Sequence, residues 1–274
     1  MVDLIRHQNP DNVLVVDAMN LAFRWKHQKS TIFAKDFVAT IDSLARSYDC
    51  GHIIVAADMK GSRYRREIFP DYKANRKELV KNQTPEEKKE TDIFFAEYEK
   101  ALELADKQFL LIRYEGVEAD DIAAYITKYR QDYGFNKVWL ISSDRDWDLL
   151  IDENVSRFST VTRKEITVDT WPYDVPMEQY ICFKCLTGDK GDNIPGVSKV
   201  GPKTAAKLLA EHGSSFDICD AIPLPGKYVY IQNLNASKDQ ILLNHELMDL
   251  KTYCEEAIGA DNVRDLGNRL MRFE

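Results

Sequence analysis

The sequence lacks a hydrophobic run long enough to span a membrane, because no apolar segment approaches the roughly 20 residues that a transmembrane helix needs. Residues 1–12 carry charges and lack the apolar core of a secretory signal. Low-complexity tracts are also missing, while 44% hydrophobic and 30% charged residues are typical of globular proteins. These absences exclude membrane, secreted and disordered classes, and they predict a cytoplasmic protein.

Cysteines are too few and too scattered for a disulfide framework or a structural zinc site. The five cysteines are an odd number, which fits reduced thiols. Cys182 and Cys185 form a single CxxC, without the second CxxC or histidine pair that tetrahedral zinc requires. We therefore expect these two cysteines to be small core residues one helical turn apart.

An excess of positive charge, which most nucleic-acid binders carry, is also lacking, since the net charge is −8. The distribution is nevertheless uneven. Residues 60–81 contain eight basic and three acidic side chains, a local balance of +5. A basic segment inside an acidic protein is a specific signal for a polyanionic partner.

Short apolar runs separated by segments of helical periodicity predict an α/β fold. The runs at residues 13–16, 53–57, 109–112 and 138–142 are typical of parallel strands buried on both faces, and residues 155–159 and 165–168 indicate a hairpin. We predict an α/β domain with a mostly parallel central sheet over residues 1–173, with an insertion at about 59–107, and a helical lobe over residues 174–274. Insertions of that length are usually functional lids or binding loops, or else disordered.

Acidic residues follow several of the predicted strands and recur at other turns. Nine stand out by position: Asp17, Asp58, Glu118, Asp120, Asp121, Asp144, Asp146, Asp189 and Asp192. Each has an ordinary explanation, because Asp120 and Asp121 favour a helix N-terminus, Asp144 can cap a short helix, and Asp189 and Asp192 suit a turn. Taken together, however, carboxylates at one sheet edge repel each other and bind hard cations such as Mg²⁺ or Mn²⁺. A set this large predicts two ions acting on a phosphodiester.

Two competing motifs fail on single residues. A haloacid-dehalogenase-type phosphatase would need a second aspartate two residues after Asp17, where Met19 stands. The segment from Gly196 to Thr204 nearly matches a phosphate-binding P-loop, but Pro202 interrupts it and no apolar strand precedes it. The segment is better explained as a glycine-rich hairpin before a helix that faces a phosphate backbone, or as an ordinary turn between helices. Its exposed lysines would be Lys199, Lys203 and Lys207.

The ordered motifs resemble the signature set of the 5′-nuclease superfamily, which includes bacteriophage flap endonucleases and the 5′-nuclease domain of bacterial DNA polymerase I. The motifs are Val-Val-Asp17-Ala-Met-Asn20, Asp71-Tyr-Lys73-Ala-Asn-Arg76, Gly116-Val-Glu118-Ala-Asp-Asp121, Ser143-Asp-Arg-Asp146-Trp-Asp148, Gly188-Asp-Lys-Gly-Asp-Asn-Ile-Pro-Gly-Val197 and Val200-Gly-Pro-Lys-Thr-Ala205. Segments at residues 224–227, 231–237 and 250–254 look like the T-odd phage enzymes of this family.

The resemblance implies that residues 1–173 form a PIN-like α/β nuclease domain with a helical arch in the basic insertion. It also implies a helix–three-turn–helix motif at about residues 186–212. It implies one metal site at Glu118, Asp120 and Asp121, with Asp17 and Asp58 nearby, and a second at Asp144, Asp146, Asp189 and Asp192. Backbone carbonyls of Val197 and Val200 would hold K⁺ beside a DNA phosphate.

The expected activity is flap endonuclease and 5′-3′ exonuclease cleavage by a monomer near 5′ ends, flaps and RNA-primer-like branches, in DNA replication or repair. If a phage encodes the chain, it would act in the host cytoplasm. Water activated by Mg²⁺ would attack the phosphodiester, while Lys73 and Arg76 neutralise the developing charge. Tyr72 would stack on a base, and Arg24 and Lys26 would hold the 5′ strand. The alternative for all three is that they are ordinary surface residues.

Two rival functions remain. A non-catalytic junction-binding protein would have lost carboxylates, yet all nine acidic positions are present. A PIN-type ribonuclease typically lacks the long basic insertion and the glycine hairpin.

Overall fold

A six-stranded sheet forms the centre of the first part of the chain. The computed structural model describes residues 9–272, with the backbone alone for residues 77–80, so the side chains of Lys77 and Glu78 lie outside it, as do residues 1–8. The strands are β1 (Asn9–Asp17), β2 (Cys50–Ala56), β3 (Leu110–Ile112), β4 (Lys137–Ile141), β5 (Val155–Ser159) and β6 (Lys164–Ile166). Their order is β3-β2-β1-β4-β5-β6, and every neighbouring pair is parallel except the β5–β6 hairpin. The predicted mostly parallel α/β sheet is confirmed.

Helices alternate with these strands along the chain. Those before β5 are α1 (Ala18–His27), α2 (Ala34–Ser47), α3 (Arg63–Ile68), α4 (Ala74–Lys81), α5 (Pro85–Asp106) and α6 (Ala119–Lys128). Val13–Val16 of β1 are fully buried, which explains why this strand is a continuous apolar run. One apolar face of α2, including Phe37 and Ile41, also enters this core.

The long helix α5 begins where the sequence predicts a helix start. Thr84 and Glu87 form a reciprocal capping box, and Pro85 occupies the first turn. Further along, the buried Glu97 carboxylate accepts the backbone N–H groups of Phe33 and Ala34, each at 3.1 Å. Glu97 thereby caps the start of α2, which Phe33 cannot do.

Helices dominate the later part of the chain. They are α7 (Tyr180–Thr187), α8 (Pro202–His212), α9 (Ser215–Ala221), α10 (Val229–Asn235), α11 (Lys238–Met248), α12 (Leu250–Ile258) and α13 (Ala260–Met271), with the short hairpin β7 (Gly188–Asp189) and β8 (Ile194–Pro195) after α7. Cys182 and Cys185 are buried in α7 as core residues, in agreement with the sequence, and all five cysteines are buried and take part in no disulfide within the described residues. No helix within residues 9–272 is both long and apolar enough to cross a membrane.

Contacts divide the chain into two units. The sheet unit contains the described residues up to Tyr64, Gln83–Thr170 and the described residues from Cys254 on, whereas the helical unit contains Arg65–Asn82 and Trp171–Tyr253. No single boundary in the sequence therefore separates the two units. Part of the basic insertion belongs to the helical unit, and helix α13 belongs to the sheet unit. Arg269 of α13 donates to the Leu111 carbonyl of β3 at 2.7 Å. The boundary at residues 173 and 174 stays a prediction.

Candidate active site

Carboxylates of the sheet unit gather at one edge of the sheet. Asp17 is the last residue of β1, while Asp58 and Asp144 follow β2 and β4 within three residues. Because Asp17 pairs with Ala56 and Ala56 pairs with Ile112, the carboxyl ends of neighbouring parallel strands are level with each other. This is the edge at which open α/β sheets bind ligands.

Asp17 is buried within this edge and meets other carboxylates. It caps α1 by accepting the Asn20 N–H at 3.0 Å, and the Ser142 hydroxyl donates to it at 2.8 Å. Burial raises the pKa of Asp17 to about 7, and the nearby charges of Asp58 and then Asp144 contribute to the rise. A raised pKa indicates that these carboxylates cannot all ionise without a compensating charge.

The start of α6 brings three further carboxylates to the same unit. Glu118 stands at the N-cap position, and both Glu118 and Asp121 are buried. Asp120 accepts the indole N–H of Trp147 at 2.6 Å, while Asp58 accepts the backbone N–H of Ala119 at 2.6 Å. The positive end of the helix dipole favours negative charge here.

The segment after β4 carries the remaining two predicted ligands of this unit. Asp144 caps a 3₁₀ turn by accepting the Asp146 N–H at 3.0 Å, so the ordinary capping role is present. The Ser142 hydroxyl accepts the Asp144 N–H at 3.0 Å and donates to Asp17. Asp144 is exposed and Asp146 is half-buried, so both carboxylates can be reached from solvent.

A buried ion pair behind this segment was missed by the sequence analysis. The Arg157 guanidinium donates to Asp148 at 2.6 Å and to the Ser142 carbonyl at 2.8 Å, and both charged side chains are almost fully buried. Arg157 thus fixes both ends of the segment that bears Asp144 and Asp146. The sequence carries a signal for this ion pair, because Arg157 lies within a short buried strand and a charged side chain there requires a partner.

The donor set of this edge fits a hard divalent cation. Within residues 9–272, no three acidic, histidine or cysteine side chains already converge on a point where an ion would sit. Several of the carboxylates accept N–H and O–H donors instead, and burial with mutual repulsion raises the pKa of Asp17. Carboxylate oxygens are the ligands that Mg²⁺ and Mn²⁺ prefer, and a cation would relieve that repulsion.

Asp189 and Asp192 belong to the helical unit, and each has a different environment. Asp189 accepts the buried Lys184 ammonium at 3.0 Å and the N–H groups of Gly191 and Asp192. Burial raises the pKa of Asp189, but Lys184 and these donors outweigh burial and hold the pKa below its usual range. The turn role considered for Asp189 is therefore present.

Asp192 contacts the predicted catalytic cations directly. Arg76 donates to Oδ1 of Asp192 at 2.9 Å, and the Lys73 ammonium lies 3.6 Å from Oδ2. The Tyr72 hydroxyl donates to Oδ2 at 3.0 Å. Sequence reasoning placed these groups in separate roles and did not anticipate the pairing.

The prediction that Tyr72 stacks on a base is wrong for this conformation. Its side chain is only 4% exposed and belongs to the helical core. Arg65 and Lys73 lie over the ring, 5.9 and 4.9 Å from its centroid. The burial of Tyr72 was not predicted, because its neighbours in sequence are polar.

The hairpin formed by β7 and β8 lies before the predicted segment at residues 196–204, in which a turn over residues 196–201, rather than a hairpin, leads into α8. Gly188 has φ +73°, and a Cβ there would lie 2.2 Å from the Gly196 nitrogen, so only glycine allows this close approach. Lys199 is exposed on this turn, and Lys203 and Lys207 are exposed on α8. Near them, the Val197 carbonyl accepts the Val200 N–H at 3.0 Å.

Arg24 and Lys26 lie on α1 of the sheet unit. Arg24 is exposed and lines a groove together with Arg163 of the β5–β6 hairpin. The Lys26 ammonium lies 5.2 Å from the ring centroids of both Phe23 and Phe94, a cation–π arrangement.

Two family models together match nearly the whole chain. The 5′-3′ exonuclease, N-terminal resolvase-like domain matches residues 12–174, and the 5′-3′ exonuclease, C-terminal SAM fold matches residues 175–267. Both models describe one family.

Individual relatives agree with this match. The flap endonuclease of Escherichia phage T5 is 45% identical over 253 residues, which are 91% of this chain and 87% of that protein. DNA polymerase I of Streptococcus pneumoniae is 32% identical over 83% of this chain, which spans 25% of the polymerase. A crystal structure of the bacteriophage T5 flap endonuclease, a pseudo-enzyme–product complex with DNA and metal ions, matches with TM-score 0.92 and 43% identity, covering 96% of this chain and 98% of that one.

Proposed function

This chain belongs to the 5′-3′ exonuclease family, and we propose that it is a metal-dependent, structure-specific 5′-nuclease that cleaves DNA at flaps, 5′ ends and single-strand/duplex junctions. The single observation that carries the proposal is the set of carboxylates at the carboxyl edge of the sheet. Within that set, burial and the neighbouring charges of Asp58 and Asp144 raise the pKa of Asp17 to about 7. Carboxylates in such a site bind a divalent cation, and a divalent cation held there can bind the phosphate of a phosphodiester substrate.

We assign the metal ligands in two groups. Glu118, Asp120 and Asp121 hold one ion, with Asp17 and Asp58 beside them or acting through water, and Asp144, Asp146, Asp189 and Asp192 hold the other. Mg²⁺ is the expected ion, and Mn²⁺ substitutes for it. When bound, the ions supply an activated water and stabilise both oxygens of the scissile bond.

Basic residues of the chain bind the phosphates and balance the charge that develops on them. Lys73 and Arg76 face the scissile phosphate, since cations placed where charge develops lower the barrier. Lys199, Lys203 and Lys207 bind the duplex backbone, with α8 pointing its first turn toward a phosphate. Arg24 and Lys26 guide the 5′ strand, and the exposed guanidinium of Arg24 is accessible to its phosphates.

Several finer assignments belong to the same proposal. Residues 1–173 form the nuclease domain with the arch at about 59–107, and residues 174–274 form the DNA-binding lobe with the helix–three-turn–helix motif at about 186–212. Carbonyls of Val197 and Val200 offer a K⁺ site. The chain acts as a monomer, also on RNA-primer-like branches, in the cytoplasm of the cell whose DNA is replicated or repaired.

Cleavage of an end-labelled 5′-flap DNA tests the proposal. Mg²⁺ should give products with a 3′-hydroxyl and a 5′-phosphate near the junction, and EDTA should abolish them. The variant Asp144→Asn/Asp146→Asn should lose cleavage because two ligand charges are removed while the side-chain volumes are kept.

A matched control separates lost ligands from lost surface charge. Asp132→Asn/Asp169→Asn removes the same charge at two exposed positions outside the proposed site and should leave cleavage unchanged. Cleavage in EDTA, or a fully active Asp144→Asn/Asp146→Asn enzyme, would contradict the proposal.

A further inference from the structure

The base of the basic insertion is fastened to the turn between β7 and β8, and both segments belong to the helical unit. The Lys73 N–H donates to the Asp192 carbonyl at 2.9 Å, and the Asn75 amide donates to the Lys190 carbonyl at 3.0 Å. In the opposite direction, the Asn193 amide donates to the Asp71 carbonyl at 2.8 Å. These three hydrogen bonds to backbone carbonyls hold residues 71–76 against residues 190–193.

Within this junction, one carboxylate engages two cations and a phenol. Asp192 is 13% exposed, Lys73 is 15% exposed and Arg76 is 56% exposed. Its Oδ1 accepts Arg76, while its Oδ2 lies within reach of both Tyr72 and Lys73. The negative charge of Asp192 is therefore directed at the two side chains that the proposed function assigns to the scissile phosphate.

Lys73 also has an unusual backbone conformation at this point. Its φ is +54°, in the left-handed region that non-glycine residues rarely adopt. The bond from its N–H to the Asp192 carbonyl and the contact of its ammonium with the carboxylate hold both ends of the residue. A strained residue fixed by its partners on both ends is typical of sites that change state.

We propose that Asp192 is a positioning residue, which holds Lys73 and Arg76 in an ion-paired resting arrangement until its carboxylate is taken up by a divalent ion. Lys73 and Arg76 then leave Asp192 and become available to a DNA phosphate. The inference rests on the proposed function, in which Asp192 is a metal ligand and Lys73 and Arg76 face the scissile phosphate.

The charges balance in both states. In the resting arrangement, Asp192 neutralises part of the charge of the two cations. When the carboxylate binds a divalent ion, the phosphate diester of DNA replaces it as their anionic partner. Metal loading and engagement of the scissile phosphate are thereby coupled, because one carboxylate serves either the cations or the ion.

Limited acetylation of lysine amines, read for Lys73 by mass spectrometry without DNA, tests this coupling directly. In the wild-type protein, replacing EDTA with Ca²⁺ should raise the labelling rate of Lys73 about two- to fivefold, the factor that a partly exposed ion pair is worth. Asp192→Asn should label at the higher rate in EDTA and should no longer respond to Ca²⁺.

The control is Asp71→Asn, which removes an exposed carboxylate from the same segment. This variant should label like the wild type in both conditions. If Asp192→Asn loses its fold, as judged by its melting curve, Asp192→Ser replaces it in the test: removal of the carboxylate should likewise raise Lys73 labelling in EDTA.

A second measurement reports on Arg76. The affinity of the protein for a DNA single strand should depend more steeply on salt with Ca²⁺ than with EDTA, by a slope of about 0.7 for each cation that engages a phosphate. Asp192→Asn should already show the steeper slope in EDTA.

Equal Lys73 labelling in EDTA and Ca²⁺, with Ca²⁺ binding verified by calorimetry, would overturn the inference. So would unchanged labelling in EDTA for the folded Asp192→Asn variant, or for Asp192→Ser where that variant stands in. These readouts involve no cleavage, so a metal-dependent nuclease with unresponsive Lys73 would refute the inference alone. An absence of flap cleavage would refute the proposed function instead.

Discussion

The acidic residues of the sheet unit and those of the helical unit differ in the charges around them. In the sheet unit, Asp17 lies close to Asp58 and Asp144, and burial together with these charges raises its pKa to about 7. In the helical unit, Lys184 pairs with Asp189, and Lys73 and Arg76 pair with Asp192. The proposed ligands of the two units thus differ, because burial and neighbouring carboxylates raise the pKa of Asp17, whereas internal cations pair with Asp189 and Asp192.

This difference has a functional consequence. A bound cation stabilises carboxylates that repel each other. Carboxylates that already pair with lysine or arginine side chains must instead give up those ion pairs before they bind a metal ion. Under the proposed function, the sheet-unit carboxylates are therefore ready for metal, whereas metal binding by Asp192 of the helical unit would change the position of other side chains.

The largest expected effect concerns the buried Arg157–Asp148 ion pair behind the sheet-unit site. Arg157→Met leaves the fully buried Asp148 without its guanidinium partner, and the free energy of unfolding should fall by about 3–5 kcal/mol. Urea denaturation measures this change. Arg157→Met/Asp148→Leu should recover most of the loss, and Arg46→Met, which breaks an exposed pair with Asp42, should have little effect. A stable Arg157→Met protein would show that this pair does not support the site.

The pH dependence of stability should have opposite signs in the two units. The pKa of Asp17 in the folded protein is about 7 against an ordinary 3.8, so its contribution is complete below the ordinary value and is lost as pH rises through about 7. The full difference is on the order of 4 kcal/mol. The pKa of Asp189 is lowered, so its contribution is present above the ordinary pKa and is lost as pH falls through the folded pKa.

Chemical denaturation in EDTA across this pH range separates the two contributions. Asp17→Asn should remove a decline in stability between about pH 4 and pH 7. Asp189→Asn should instead reduce the loss of stability on acidification below that range. If both variants change the profile in the same direction, the two units are not compensated differently.

Lys73 tests whether the cations of the helical unit act in the reaction or only in binding. Lys73→Ala should lower turnover about 100-fold, because it removes a charge that stabilises the transition state. Duplex affinity should change much less. Single-turnover kinetics with saturating flap DNA separates the two quantities, with Lys207→Ala as the control. A loss confined to affinity would remove Lys73 from the catalytic groups.

The smallest effect is expected at the surface of α8. Lys203→Ala should weaken duplex binding uniformly across sequences and reduce the salt dependence of the affinity by a slope of about 0.9. Titrations at several salt concentrations measure this slope, and turnover should not change. Lys164→Ala, at an exposed position of β6 in the other unit, provides the comparison. An unchanged slope for Lys203→Ala would argue against a phosphate contact.

Much of the fold could be predicted because its signals are local. Continuous apolar runs mark β1, β2, β3 and β4, and the Thr84-Pro85 signature marks the start of α5. The positions of Asp17, Asp58 and Asp144 then follow from strand ends alone, since parallel strands bring their carboxyl ends to one edge.

The partners of these carboxylates could not be predicted, because they come from distant parts of the chain. Trp147 reaches Asp120, Arg157 reaches Asp148, and Arg76 reaches Asp192 across 116 positions. Tyr72 was misread for a related reason: its neighbours are polar, and its burial depends on helices more than 100 residues away. The pairing of charged side chains is a property of tertiary structure, whereas the position of a strand end is largely local.

Counting bound Mn²⁺ by electron paramagnetic resonance tests the central claim most directly, namely that carboxylates of both units serve divalent ions. The free Mn²⁺ signal should reveal two ions per wild-type chain, one per chain for Asp189→Asn/Asp192→Asn, and one for Asp120→Asn/Asp121→Asn. A stoichiometry that neither double variant changes, or the absence of Mn²⁺ binding, would contradict the account.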